Sequence, residues 1–318
     1  MVSVIIPINN EEPSVHEMYA QVSAVFGELR RPFELIFVDD GSTDGSFKKI
    51  EQLAARDARV KAIRLPVRCG KSAALAAGFG RAQGDIIVTM DGDLQHDPRD
   101  LPALLAKIDE GFDMITGLRV KRGDSVFTRK LPSRIAHWLM ARVAGVQAAD
   151  FCSSYGAFRA DVLAGLHLHG DFHRMLPMLA AARGARIAEV PVGWHRRLHG
   201  ASHYGFGRSI PFLLDLITAR YFLAYAAQPM HLFGKAGLVG VVMGIVVGIY
   251  ALIGSVWDIA GVMGRDALVV LMFIFFSAGV IFFFMGCIAE MLARAHAECF
   301  GRLPCIARET RQQKNLQK

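Results

Sequence analysis

Asp85-Ile86-Ile87-Val88-Thr89-Met90-Asp91-Gly92-Asp93-Leu94-Gln95 is an apolar run that ends on two carboxylates. A run of this length bounded by polar residues reads as a strand buried on both faces. Four more such runs surround it: Val2–Pro7, Phe33–Val38, Val60–Leu65 and Asp113–Thr116. Helical patterns fit between them, over Glu12–Phe26, Asp44–Ala55, Lys71–Ala82 and Pro98–Glu110. Strand–helix alternation with mostly apolar strands predicts a Rossmann-like α/β domain on a mostly parallel sheet. Ligands of such sheets bind outside the carboxyl ends of the strands. Three polar clusters stand at those ends: Asn9-Asn10-Glu11, Asp39-Asp40-Gly41-Ser42, and Asp91 through Gln95.

Asp91 and Asp93 offer hard oxygen ligands, and Gln95 could add an amide oxygen. Mg²⁺ or Mn²⁺ takes such oxygens and shares them with phosphate groups. The same spacing also suits a solvated turn whose Asp side chains bond local backbone N–H groups. Of Asp39 and Asp40, one could accept a nucleobase N–H while the other holds the loop, or both could cap the following helix. Gly70-Lys71-Ser72 is no phosphate-binding loop, because Leu65 stands where that motif needs Gly. Gly78, Gly80 and Gly84 miss the dinucleotide fingerprint by one residue.

The remainder of the chain points to a membrane. Hydrophobic residues make up 53% of the 318 and charged residues 20%, and mean hydropathy is +0.31. That balance excludes a disordered, collagen-like or coiled-coil chain. Residues 236–257 and 267–289 contain no Asp, Glu, Lys or Arg. Each exceeds the roughly 20 apolar residues that a membrane-crossing helix needs. Residues 207–228, with Ile210, Leu213, Leu214, Ile217 and Tyr221 at helical spacing, read as an interfacial helix. The predicted organisation is a catalytic domain over 1–206, an interfacial helix over 207–231, a two-helix hairpin over 232–293 and a basic tail over 294–318. Net charge is +7, and the last stretch from Leu292 carries six Lys/Arg against two Asp/Glu. A local excess of this kind suits a membrane surface and excludes a nucleic-acid face, which needs a folded basic patch. The flanking Arg and Lys residues predict that the catalytic domain and both termini are cytoplasmic. The apolar run Val2–Pro7 is too short for a secretory signal. Five cysteines without a CxxC pair predict neither a disulfide framework nor a zinc site. Gly237, Gly240, Gly244 and Gly248 lie at small-xxx-small spacing, which serves either the two spans of one chain or a homo-oligomer.

Taken in order, Pro7, Asn10-Glu11, Val38-Asp39-Asp40-Gly41-Ser42, Gly70-Lys71, Gly84-Asp85 and Asp91-Gly92-Asp93-Leu94-Gln95 resemble the inverting GT-A glycosyltransferases. Gly117-Leu118-Arg119, Tyr155-Gly156-Ala157-Phe158-Arg159 and Gly200-Ala201-Ser202-His203-Tyr204 continue the likeness. The branch most similar is the polyprenyl-phosphate glycosyltransferases, which include dolichol-phosphate mannose synthases, bactoprenol glucosyltransferases and undecaprenyl-phosphate aminoarabinose transferases. The resemblance implies transfer of a sugar from a UDP- or GDP-linked nucleotide sugar to undecaprenyl or dolichyl phosphate, metal-dependent and with inversion, at the cytoplasmic face of the inner membrane. It implies donor binding by Pro7, Asn9, Glu11, Asp39, Asp91, Gly92, Asp93, Arg197, Ser202, His203 and Tyr204. Metal would be held by Asp91, Asp93 and Gln95, and the acceptor phosphate by Arg119 with Arg129 or Arg134. Asp93 and Arg119 would carry catalysis. Asn9 stands where the family has an aromatic residue, and His203 where it has Lys. A His carries a full charge only near or below pH ~6.5. A processive polysaccharide synthase would need a Gln-x-x-Arg-Trp motif, and none of Trp138, Trp194 and Trp257 follows Arg. A non-catalytic scaffold for glycolipid assembly would have no use for paired metal-ligand acids.

Overall fold

Seven strands form one sheet in the computed structural model, which describes residues 1–119, 154–195 except 167, 169 and 171, scattered positions between 214 and 225, 228–256 and 265–300. In chain order the strands are β1 (Val2–Ile8), β2 (Phe33–Asp40), β3 (Val60–Leu65), β4 (Ile86–Thr89), β5 (Met114–Arg119), β6 (Gly156–Arg159) and β7 (Ile187–Val192). Helices α1 (Val15–Leu29), α2 (Ser46–Arg56), α3 (Lys71–Phe79) and α4 (Leu101–Asp109) follow the first four strands in turn. The five strands and four helices read from the apolar pattern are all present, with ends shifted by up to three residues.

Spatial order is β3-β2-β1-β4-β6-β5-β7. Every pairing is parallel except the two made by β6. β1 and β2 are buried almost throughout, as strands covered by helices on both faces must be. Val15, Met18, Val22, Val25 and Phe26 give α1 a buried stripe at three- and four-residue spacing. The strand order reverses between β1 and β4, and a crevice opens at such a switch point on the carboxyl edge. β6 and β7 were not foreseen. Gly156–Arg159 is four residues long and has no alternating pattern, so only its long-range pairing defines it.

The first three strands are tied from below. Glu34, 4% exposed, accepts from Ser3 Oγ of β1 at 2.5 Å and from Gln83 N at 2.6 Å. It also pairs with Lys61 of β3 at 2.6 Å. Burial acts to raise this carboxyl, and Lys61, Ser3 and the Gln83 N–H outweigh it and hold it below its ordinary value of 4.5.

A second compact unit covers Arg220–Leu303. It is built on α5 (Met230–Val256) and α6 (Arg265–Phe300), whose central stretches are long and apolar enough to cross a membrane. Large apolar side chains point outward along both, Leu238 being 64% and Phe284 62% exposed. A helical hairpin in a soluble core would bury them. The helices run antiparallel, and the glycine stripe lies between them. A Cβ on Gly237 would meet Gly279 O at 2.7 Å, and one on Gly244 would meet Phe276 N at 3.0 Å. The stripe therefore joins the two spans of one chain, and it offers no support for the homo-oligomer the spacing also allowed. Of the interfacial segment, Leu214, Ile217, Thr218, Arg220, Tyr221, Ala224 and Tyr225 are helical, and Leu214 and Ile217 are exposed.

Candidate active site

The carboxyl ends of β1, β2 and β4 deliver the three polar clusters to one edge of the sheet. At β2, the two aspartates do different work. Asp40 turns into the protein and accepts from Cys69 N at 2.6 Å and Gly70 N at 3.0 Å, so it holds the loop before α3. Gly41 next to it sits at φ +64°, and a Cβ there would lie 2.5 Å from Arg68 N. Neither aspartate caps α2. Asp44 instead accepts from Ser46 N, the first N–H of α2, at 3.0 Å, and from Glu12 N of the first-strand loop at 3.2 Å.

Asp39 is fully buried. Its Oδ1 accepts from Ser42 N at 3.2 Å. Its Oδ2 is buried without a hydrogen bond, and Arg64 Nε stands 3.6 Å away. The Arg64 guanidinium is itself laid over the Phe47 ring at 4.7 Å. A buried carboxylate oxygen left open is costly unless a donor arrives. Asp39 therefore has one carboxylate oxygen paired with a cation but with no N–H bonded to it.

Pro7 and Asn9 lie at the end of β1. The Asn9 amide donates to Asp40 O at 2.7 Å, and Asn10, at φ 56°, accepts from Thr43 N at 2.8 Å. Glu11 N donates to Ser46 Oγ at 3.0 Å. These contacts bind the first-strand loop to the second. Gly92 has a packing reason: a Cβ would run into Ile8 Cδ1 and come within 3.2 Å of Pro7 O.

After β4, Asp91 is partly buried and engaged on both oxygens. Lys71 Nζ pairs with Oδ1. Ser154 Oγ donates to Oδ2 at 2.6 Å. Burial acts to raise this carboxyl, but Lys71, with His96 and Ser154, holds it well below the usual carboxylate range. Asp93 is 7% exposed and accepts from Gln95 N at 3.1 Å. Lys71 and Ser154 were not identified from the sequence as site residues. Lys71 sits in a segment that fails the phosphate-loop motif. Ser154 is brought in by strand pairing, since the antiparallel register Thr89↔Gly156, carried two residues on, sets 154 opposite 91.

The donor set after β4 fits a hard cation. It consists of two carboxylates, one held ionised by its surroundings, with an amide two residues on. Among the described residues no group of three or more His, Cys, Asp or Glu converges. The protein would thus supply part of a coordination shell, and phosphate oxygens the rest.

Beyond β7, residues 193–195 are strapped to this loop. Gly193 N donates to Asp100 Oδ2 at 2.8 Å, His195 N to Gln95 O at 2.9 Å, and His96 bridges Trp194. Arg119 ends β5 on the same carboxyl edge as Asp91. Its side chain, and Arg129, Arg134, Arg197, Ser202, His203 and Tyr204, lie outside the described residues.

A mostly parallel sheet with one reversed strand, and paired carboxylates after the strand beside the switch point, defines a GT-A glycosyltransferase domain. Comparison with known proteins gives the family. The model of Glycosyl transferase family 2 matches residues 3–166. The dodecaprenyl-phosphate galacturonate synthase of Rhizobium johnstonii is 38% identical over 240 residues, covering 74% of this chain and 71% of that protein. The undecaprenyl-phosphate 4-deoxy-4-formamido-L-arabinose transferase of Klebsiella pneumoniae is 33% identical over 308 residues, covering 95% and 90%. Among solved structures, glucosyl-3-phosphoglycerate synthase of Mycobacterium tuberculosis, in complex with Mn²⁺, UDP and phosphoglyceric acid, aligns with a TM-score of 0.54 at 22% identity, covering 69% of this chain and 78% of that one. The chain belongs to glycosyl transferase family 2, and it is a glycosyltransferase.

Proposed function

We propose that the protein transfers a sugar from a UDP- or GDP-linked donor to a polyprenyl phosphate, with inversion, at the cytoplasmic face of the membrane. One observation carries the reading: the order of groups along the carboxyl edge. Asp39 on β2, Asp91 after β4 and Arg119 on β5 stand in that sequence, each two strands from the next. Neighbouring strands are spaced about 4.8 Å. A base, its diphosphate and an acceptor phosphate would lie along the edge in the same order.

Asp39 Oδ2 would accept the ring N–H that uracil and guanine both carry. Asp91, Asp93 and Gln95 would hold Mg²⁺ or Mn²⁺, which when bound offsets charge on the donor diphosphate. Lys71 adds a protein cation beside them. Transfer to a hydroxyl would need a base. A lipid phosphate is already anionic near neutral pH and needs none, so the demand on the protein is electrostatic. Arg119, with Arg129 or Arg134, would hold the acceptor phosphate and aim it at the anomeric carbon. The closing residues Arg197, Ser202, His203 and Tyr204 would cover the donor. The two spans would keep the domain at the bilayer that contains the polyprenyl chain.

The two relatives differ in the sugar they carry, so the donor is the first quantity to measure. The full-length protein in detergent, with undecaprenyl phosphate and Mn²⁺ or Mg²⁺, is assayed against UDP-galacturonate, UDP-glucose, UDP-4-deoxy-4-formamido-arabinose and GDP-mannose. At least one should give a sugar–phosphoryl-polyprenol with inverted anomeric configuration. Failure of every donor, or a product that grows by repeated addition, would refute the proposal. The second outcome would favour a processive synthase.

A further inference from the structure

We infer that His96 is a positioning residue that fixes the Asp91 carboxylate through the Ser154 hydroxyl. The inference rests on the reading of Asp91 given above. His96 is 1% exposed, and its Nε2 lies 3.3 Å from Ser154 Oγ and 3.9 Å from Asp91 Oδ2. Ser154 Oγ in turn donates to Asp91 Oδ2 at 2.6 Å. A hydroxyl has one hydrogen, and an ionised carboxylate has none to give. The Ser154 hydrogen is therefore spent on Asp91. Toward His96 the hydroxyl oxygen can only accept, which assigns the ring proton to Nε2. The chain of donors runs from His96 to Ser154 to Asp91.

Each member is held by something else. The His96 ring stands between Tyr155, with centroids 4.9 Å apart, and the edge of Trp194 at 5.1 Å. The Tyr155 hydroxyl donates to Asp97 O at 3.1 Å, which locks that ring to the same loop. Thr89 Oγ1 donates to Ser154 O at 2.9 Å and fixes the serine backbone. With Lys71 on Oδ1, the Asp91 carboxylate cannot turn without breaking a contact on one side or the other. A histidine that merely filled space would be replaceable by a carbon side chain of similar volume. This one would not be, because its N–H is the first link of the chain.

Manganese binding in the presence of UDP, read by electron paramagnetic resonance on the full-length protein, tests the idea. His96→Leu and Ser154→Ala should each weaken Mn²⁺ uptake about 10–100-fold, the range for groups that orient a metal-binding side chain. His96→Gln, whose amide N–H reaches the place of Nε2, should recover most of the loss. The double variant should be no weaker than the worse single one, as for residues acting in series. UDP affinity without metal should not move in any of them. Additive losses, or a Gln variant as weak as the Leu variant, would overturn the inference. So would a Ser154→Ala protein that binds Mn²⁺ normally, a result that does not depend on whether the Leu variant folds. Should the wild type take up no Mn²⁺ with UDP, the metal reading falls and this inference with it. Wild-type uptake with undisturbed variants removes the inference alone.

Discussion

Adjacent aspartates at the end of β2 have separate fates, and their separation is measurable. Asp40 accepts three backbone contacts from Cys69 and Gly70, whereas Asp39 keeps a buried oxygen open. Asp40→Ala should therefore act on the fold. It strands two donors, at a cost of about 1–3 kcal/mol, seen as a lower denaturation midpoint. Asp39→Ala should act on the ligand. Losing a hydrogen bond to a charged acceptor is worth about 1.5–3 kcal/mol, or roughly 10–100-fold in donor affinity, with little change in midpoint. Titration calorimetry with UDP and GDP and an unfolding curve on both variants decide it, and interchanged phenotypes would refute the assignment. The residues alone placed both at a strand end and left their roles open, and only the family resemblance singled out Asp39 for the donor. A carboxylate's direction depends on what the neighbouring loop offers, and that loop is about thirty residues away.

Elements were legible where their own residues declare them and hidden where a distant partner does. Mostly apolar runs such as Phe33–Val38, interrupted there by Glu34, can be only buried strands or buried helix segments, and the length and flanking polar residues decide between them. Gly156–Arg159 carries no such signal and becomes a strand because β4 and β5 leave a slot between them. The spans show the same divide. Length and lack of charge announce two helices able to cross a membrane, and glycine spacing announces a close contact, but the spacing does not say which helix is the partner. That contact can be tested at Gly279. A Cβ there would sit 2.5 Å from Val241 N, while one on Gly254 meets nothing within 4 Å. Gly279→Val should destabilise the hairpin by about 1–3 kcal/mol, as overpacking does, and Gly254→Val should not. Thermal aggregation of the two variants in the same detergent compares them directly, and equal midpoints would count against the packing described.

On the scale of the molecule, two units share a chain: an α/β domain and an apolar hairpin. The stability of the first rests partly on one acid that joins three strands. Glu34 is depressed below 4.5, so its contribution is present above its unfolded value and is lost as pH falls through and below that value. Glu34→Gln should lower the unfolding midpoint near pH 7 and flatten its decline between pH ~5 and ~3. Fluorescence-detected unfolding across that range checks both parts. A variant with the wild-type slope would place the acid sensitivity elsewhere.

The pairing of Asp91 with Ser154 has a consequence for how the enzyme is made. The two residues are 63 positions apart. A ribosome adds about 5–20 residues per second, so β1 and β2, with Asp39, leave the exit tunnel seconds before the residue that steadies the aspartate. A nascent chain halted before β6 would already contain Asp39, but its aspartate at the end of β4 would lack the serine and could not be set. Competence to transfer thus arrives late in synthesis, with the insertion of a short reversed strand.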